Sequence, residues 1–501
     1  MIQDVRGRYH SEGLFNPHHQ EIDDCADFHD WLIRQPWFNG HIGTFGRSYH
    51  AGTQWYFAVS EPKELDAMVP EVSFDDEFSG SGYQNGAKVL HDLRWTVASI
   101  IPDIMRRARE AGETVELEEP EVYHCLERIP LASEPAVEKY ARYYVDWMKH
   151  STYDDFWKKI APKEYYDIIR VPVLNISGWY NIFISATFRN YLGMKEKGGS
   201  DIARNNSRVL IGPWTHTDFS GKLNGVDYGP EGSAEAINLN GIKVARYDHW
   251  LKGLPRKDDP EKPVSIFVMG ENKWRHESSW PLDGTEFIPY YFHSAGDASI
   301  VNGILSVEVP ENEKEDIFVY DPFDPVPTVG GQVILPGEGA IGPRDQREAE
   351  GRKDVLVYET PVLQEAVSVI GPLKAKLFIS SDCPDTDFTV KLTDVFPDGE
   401  SRLLSDGILR VRYRDSDEKT ELIEPGKIYE ITVDVMDTAN TFLPGHKIRV
   451  SVSSSNFPRF NRNSNSGGDI AFETKDSYVK AVNTVFHDAD HPSCILLPVV
   501  K

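Results

Sequence analysis

Apolar residues recur at helical spacing between positions 21 and 35, at Ile22, Cys25, Phe28, Trp31 and Leu32, and the run stops before Pro36. Asn39-Gly40 is a turn signal, residues 41–45 read as a short strand, and residues 51–59 as a buried helix. Upstream, residues 2–5 read as a strand that runs into a turn at Gly7. From about residue 66 the pattern changes: residues 93–111 and 135–159 are charged and helical, with little strand signal. Residues 171–177 and 207–212 are then unbroken apolar runs of strand length, each closed by Gly or Pro, as in a parallel sheet covered on both faces. A helix over about 235–251 follows them. Beyond about residue 285 the period becomes two, at 373–379, 408–413, 428–435 and 448–452, with Pro397-Asp398-Gly399 and Pro425-Gly426 as turns.

This order predicts an α/β unit (1–65 and 166–284), a helical cap inserted within it (66–165), and a C-terminal all-β sandwich or jelly roll (285–501). A length of 501 residues agrees, because one hydrophobic core does not grow that large.

Composition narrows the function. A formal net charge of −26 repels nucleic acid and anionic membrane surfaces, so neither is expected as a partner. No run of eighteen apolar residues occurs, and the first residues lack the basic start and apolar core of a signal peptide, so a cytoplasmic location is expected. Cys25, Cys125, Cys383 and Cys494 lack CxxC spacing and read as isolated thiols. His18-His19, with Glu21, Asp23 and Asp24 nearby, fits no helix-face or finger spacing for a metal. GxxxxGK[ST] is absent, and no cofactor is expected.

The strongest local signal is Gly46-Arg47-Ser48 between the strand at 41–45 and the helix at 51–59. A serine in a sharp strand-to-helix turn is a nucleophile elbow, where a side chain two residues earlier would clash. The helix that follows aims backbone N–H groups at a developing oxyanion, and Tyr49 N–H would be one donor. Taken alone, the tripeptide also fits an ordinary turn serine. A hydroxyl nucleophile needs a base. Among sixteen histidines, His216 follows a buried strand in Ile211-Gly212-Pro213-Trp214-Thr215-His216, at the strand end where open α/β sheets build their sites. The acid of the trio belongs after the strand at 171–177, where Gly178-Trp179-Tyr180-Asn181 offers an amide.

These residues, with Gln3-Asp4-Val5-Arg6-Gly7-Arg8, Thr53-Gln54-Trp55, Asp394-Val395-Phe396-Pro397-Asp398-Gly399, Phe442-Leu443-Pro444-Gly445-His446 and Ser453-Ser454-Ser455-Asn456-Phe457-Pro458, resemble the cocaine-esterase-like hydrolases of the X-prolyl dipeptidyl-peptidase superfamily, nearly end to end. The resemblance implies an α/β-hydrolase domain, a helical cap and a galactose-binding-like jelly roll. It implies cleavage of esters or amides by a Ser-His-Asp triad, with Ser48 as nucleophile, His216 as base and Asn181 at the aspartate position. Asp218 is the nearest substitute acid in the sequence. It further implies that the first three strands, and a tyrosine hydroxyl that donates to the oxyanion, are missing, so that the strand before Ser48 has an open edge.

On this reading Trp55, Trp95, Trp179 and Phe183 line an aromatic acyl pocket, and a small ester or amide is the partner. A homodimer through the open edge is a further expectation. Dipeptidyl-peptidase or α-amino-acid ester hydrolase activity is the alternative within the family. A catalytically silent binding scaffold is the alternative from another class.

Overall fold

The computed structural model describes residues 2–255, 261–334 and 341–501. Its first half is built on a six-stranded sheet: β1 (Ile42–Arg47), β2 (Leu65–Glu71), β3 (Leu174–Tyr180), β4 (Arg208–Thr215), β5 (Val264–Val268) and β6 (Lys273–Glu277). The strands lie side by side in chain order, parallel from β1 to β5, with β6 antiparallel at the far edge. Every residue of β3 is buried, as a strand covered on both faces requires. One face packs under α2 (Tyr49–Val59) and α6 (Ile184–Lys197), through Trp55, Met68, Tyr166 and Met194. The other packs under α7 (Leu239–Lys252), through Val69, Ile176, Leu210 and Trp214. α1 (Glu21–Leu32) lies beside α2.

Two boundaries differ from expectation. Residues 65–71 belong to the sheet as β2, so the helical insertion begins after it and not at residue 66. The strand escaped notice because Leu65-Asp66-Ala67-Met68-Val69-Pro70-Glu71 is buried from both sides and shows no alternation. Residues 2–5 form no strand. β1 is therefore the edge of the sheet and pairs only with β2.

The insertion is helical, with α3 (His91–Trp95), α4 (Ile101–Glu110) and α5 (Arg142–Lys149) around a core of Leu93, Ile101, Met105, Tyr144, Trp147 and Trp157. α3 and α4 are joined by a π-helical turn at Thr96–Ile100.

Beyond residue 285 the described chain folds into a mostly antiparallel sheet of eleven strands, which opens with β7 (Glu286–His293). Its spine is β8 (Val367–Ser381) paired with β11 (Tyr429–Phe442). The strand expected over 408–413 is β10 (Ser401–Arg410) followed by a 3-10 turn at Val411–Tyr413. β9 (Asp387–Val395) pairs with β10 and with β12 (Lys447–Ser453). This sheet holds the cap directly: Leu90 N–H donates to Arg459 O at 3.0 Å, and Tyr413 Oη donates to Ser151 O at 2.8 Å.

Candidate active site

β1 delivers the chain into a sharp turn at Ser48, whose φ of 56° and ψ of −121° are strained for a residue with a side chain. Gly46 has φ 150°, and a Cβ placed there would lie 2.7 Å from His50 Cβ. The turn is held by Ser48 N–H, which donates to Glu71 O at 3.0 Å, and by Ser48 O, which accepts from Ala51 and Gly52. The amides of Tyr49 and His50 open α2 and find no backbone acceptor, so they stand free for an anion in front of the helix.

The sheet brings the second candidate to the same rim. Asn181 follows β3 and His216 follows β4, and both are buried. His216 Nδ1 is 2.8 Å from Asn181 Oδ1, and Asn181 Nδ2 donates to Ser177 Oγ at 2.7 Å. With the amide nitrogen engaged by Ser177, the amide oxygen faces the ring and accepts its Nδ1–H. The tautomer that results leaves Nε2 unprotonated, as a base requires. Burial, and then the Arg47 guanidinium, push the His216 pKa down to about 4. A neutral amide does nothing to offset either effect. No Ser48–His216 hydrogen bond is formed, a common state before substrate orders such a pair. Asp218 is exposed in the next turn, where its carboxylate accepts from Ser220 N–H, and it does not replace the missing acid.

The four aromatic candidates divide. Trp95, at the end of α3, stacks on Tyr49 with ring centroids 6.0 Å apart. Phe183 meets the His216 ring edge-on at 5.7 Å. Trp55 is wholly buried on the far side of α2, donating to Ser73 Oγ and packed against Tyr166. Trp179 is wholly buried against Phe188 and Trp280, donating to Phe267 O. The expectation that Trp55 and Trp179 line the pocket is corrected: both belong to the core, because side chains on successive strand residues point to opposite faces and α2 turns Trp55 under the sheet.

Similarity to known proteins agrees with this geometry. Residues 1–218 match the X-Pro dipeptidyl-peptidase (S15 family) model, and residues 256–496 match that of the X-Pro dipeptidyl-peptidase C-terminal non-catalytic domain. The chain is 37% identical, over its full length and 88% of the relative's, to a cocaine esterase from Rhodococcus sp. (strain MB1 Bresler). The chain belongs to the cocaine-esterase-like hydrolases of the X-prolyl dipeptidyl-peptidase family. Among solved structures, an aminopeptidase from a marine sediment archaeon, Thaumarchaeota archaeon, superposes with a TM-score of 0.84 at 26% identity, covering 99% of this chain and 85% of that one. An α-amino acid ester hydrolase superposes with a TM-score of 0.80 at 25% identity and the same coverage.

As a member of this family the protein is a serine hydrolase, with an α/β-hydrolase domain and a C-terminal β domain. Three neighbours of the site were missed in the sequence. Arg47 spans from Phe219, 4.0 Å beneath its guanidinium, to Glu71 Oε2 at 3.0 Å, and its charge reaches His216. His91 lies against Phe183, with centroids 6.3 Å apart, and its pKa is held well below the ordinary range by burial first and then by His216 and the nearby Lys88, Arg459 and Arg94. His18 packs on Tyr49 at 4.5 Å, with its Nε2 3.1 Å from the carboxylate of Glu77. Tyr49 Oη in turn donates to Glu21. Only the Gly46-Arg47-Ser48 turn gave a signal for Arg47; His18 stood out only as part of the His18-His19 pair weighed for a metal, and His91 sits in a segment with no motif. No helix among the described residues is long and apolar enough to cross a membrane.

Proposed function

We propose that the protein hydrolyses small carboxylic esters through an acyl-enzyme on Ser48, with His216 as base and Asn181 as its orienting partner. The observation that carries this reading is the strained turn at Ser48, which leaves the sheet at the same strand-end rim as the Asn181-held imidazole. Ser48 Oγ attacks the acyl carbon as Nε2 takes its proton, and the amides of Tyr49 and His50 receive the oxyanion. The imidazolium then protonates the departing alkoxide, and a water reverses the sequence. Trp95 and Phe183 bound the acyl group, under a cover formed by residues 72–171.

Esters are favoured over N-terminal peptides because a free amino group needs a carboxylate to hold it. The nearest acid on α3, Asp92, is buried and taken by Lys88 at 2.5 Å. A fluorophosphonate probe tests the reading. Slow but stoichiometric labelling of Ser48 is expected, abolished in Ser48→Ala. A folded sample with no label on Ser48 would identify a silent scaffold instead.

A further inference from the structure

α3 places two side chains beside the candidate site. His91 and Trp95 are at i and i+4, so they share one face of the helix. Trp95 lies over Tyr49, next to Ser48, while His91 lies against Phe183, next to His216. His91 thus stands in an otherwise aromatic wall, at the end nearer the base. Neither of its ring nitrogens has a hydrogen-bond partner among the described residues, although the ring is partly buried. Because those nitrogens still reach solvent, an acyl group that displaces their water is costly unless it supplies partners in return. Burial first, and then His216 and the charges of Lys88, Arg459 and Arg94, hold its pKa well down and keep it neutral, so it offers one donor and one acceptor.

Resting on the assignment of Ser48 and His216 above, we infer that His91 is a specificity-determining residue, which selects acyl groups bearing a hydroxyl or similar donor-acceptor group over purely hydrocarbon ones. An acyl ring between Trp95 and Phe183 gains the aromatic contacts in either case. A hydroxyl on that ring completes the hydrogen bonds of His91, and a bare ring leaves them unmade.

The test uses nitrophenyl benzoate and the nitrophenyl meta- and para-hydroxybenzoates, which share one leaving group. In the unmodified protein kcat/KM should favour one hydroxybenzoate by about tenfold, the worth of one hydrogen bond. His91→Leu should erase the preference while sparing benzoate, and His91→Gln should restore part of it. The same preference should appear as a Kd ratio for the intact esters on Ser48→Ala, which needs no chemistry. An unchanged ratio in His91→Leu, by rate or by affinity, overturns the inference. So does a preference that follows the leaving group when the acyl group is fixed. Failure of the Ser48 assignment looks different: the Kd ratio survives while no ester is turned over.

Discussion

On the proposed mechanism, Asn181 sets how much work His216 can do. An amide oxygen orients the ring but cannot balance the charge that the ring acquires on taking the Ser48 proton. Asn181→Asp should therefore raise kcat, by up to about 10⁴-fold if the serine-protease comparison transfers. The same carboxylate favours the imidazolium, so it should lift the His216 pKa from its present value of about 4. A pH profile of kcat/KM should show the acid limb near that value in the unmodified protein and nearer to neutrality in Asn181→Asp. An unmoved limb would mean that Asn181 does not sit where the charge forms. Glu77 carries a second pH effect. Burial raises its pKa to about 8, so the folded state keeps a proton that the unfolded chain releases above its ordinary value near 4.5. That contribution to stability is complete below the unfolded pKa and is lost as pH rises through the folded one. Resistance to urea should fall between about pH 5 and pH 8, and Glu77→Gln should flatten the decline. At this scale the sequence exposed Ser48, Asn181 and His216, since each follows a strand in a readable motif. It hid His91 and Glu77, whose importance comes only from what the cap folds them against.

The turn between β1 and α2 stores the backbone strain of the site. Gly46→Ala would drive a methyl into His50 Cβ, at the 2.7 Å separation already noted, and the turn must open to admit it. A loss of about 1–3 kcal/mol is expected, read as a fall in the urea midpoint, together with loss of fluorophosphonate labelling. Normal labelling would show that the turn does not depend on Gly46. Elements with a single exposed face were legible: α1 and the strands over 373–379 and 428–435 follow their periods closely. β2 was not, because burial on both faces erases alternation. The aromatic lining was half legible for a related reason: composition shows four large rings near the motifs, but the direction of each is set by packing.

On the scale of the whole molecule, the cap is anchored by charge as well as by its core. Lys88 and Asp92 form a pair with both side chains buried, beside the segment where Val89 bridges to Phe460 of the β domain. Burial raises the Asp92 pKa to about 6 even with its partner present, so the carboxylate tolerates no further loss of positive charge. Lys88→Met should cost about 3–5 kcal/mol, and adding Asp92→Leu should recover much of it. Equal losses in the single and double variants would show that the pair is not the anchor. The succession of α/β, helical and all-β parts was readable from changes of period, whereas the docking of cap on β domain rests on contacts between residues more than three hundred positions apart, such as Asn85 Nδ2 donating to Ile408 O at 2.9 Å. The place of β1 at the sheet margin carries a last consequence. The segment that presents Ser48 is braced by β2 on one side, and on the other by side chains, Tyr247 Oη donating to Thr44 O and Gln54 Nε2 to Gly46 O. Amide hydrogen exchange should accordingly find residues 42–47 opening more readily than the interior β3, and an acyl group bound at Ser48 should slow that local breathing before it slows anything else.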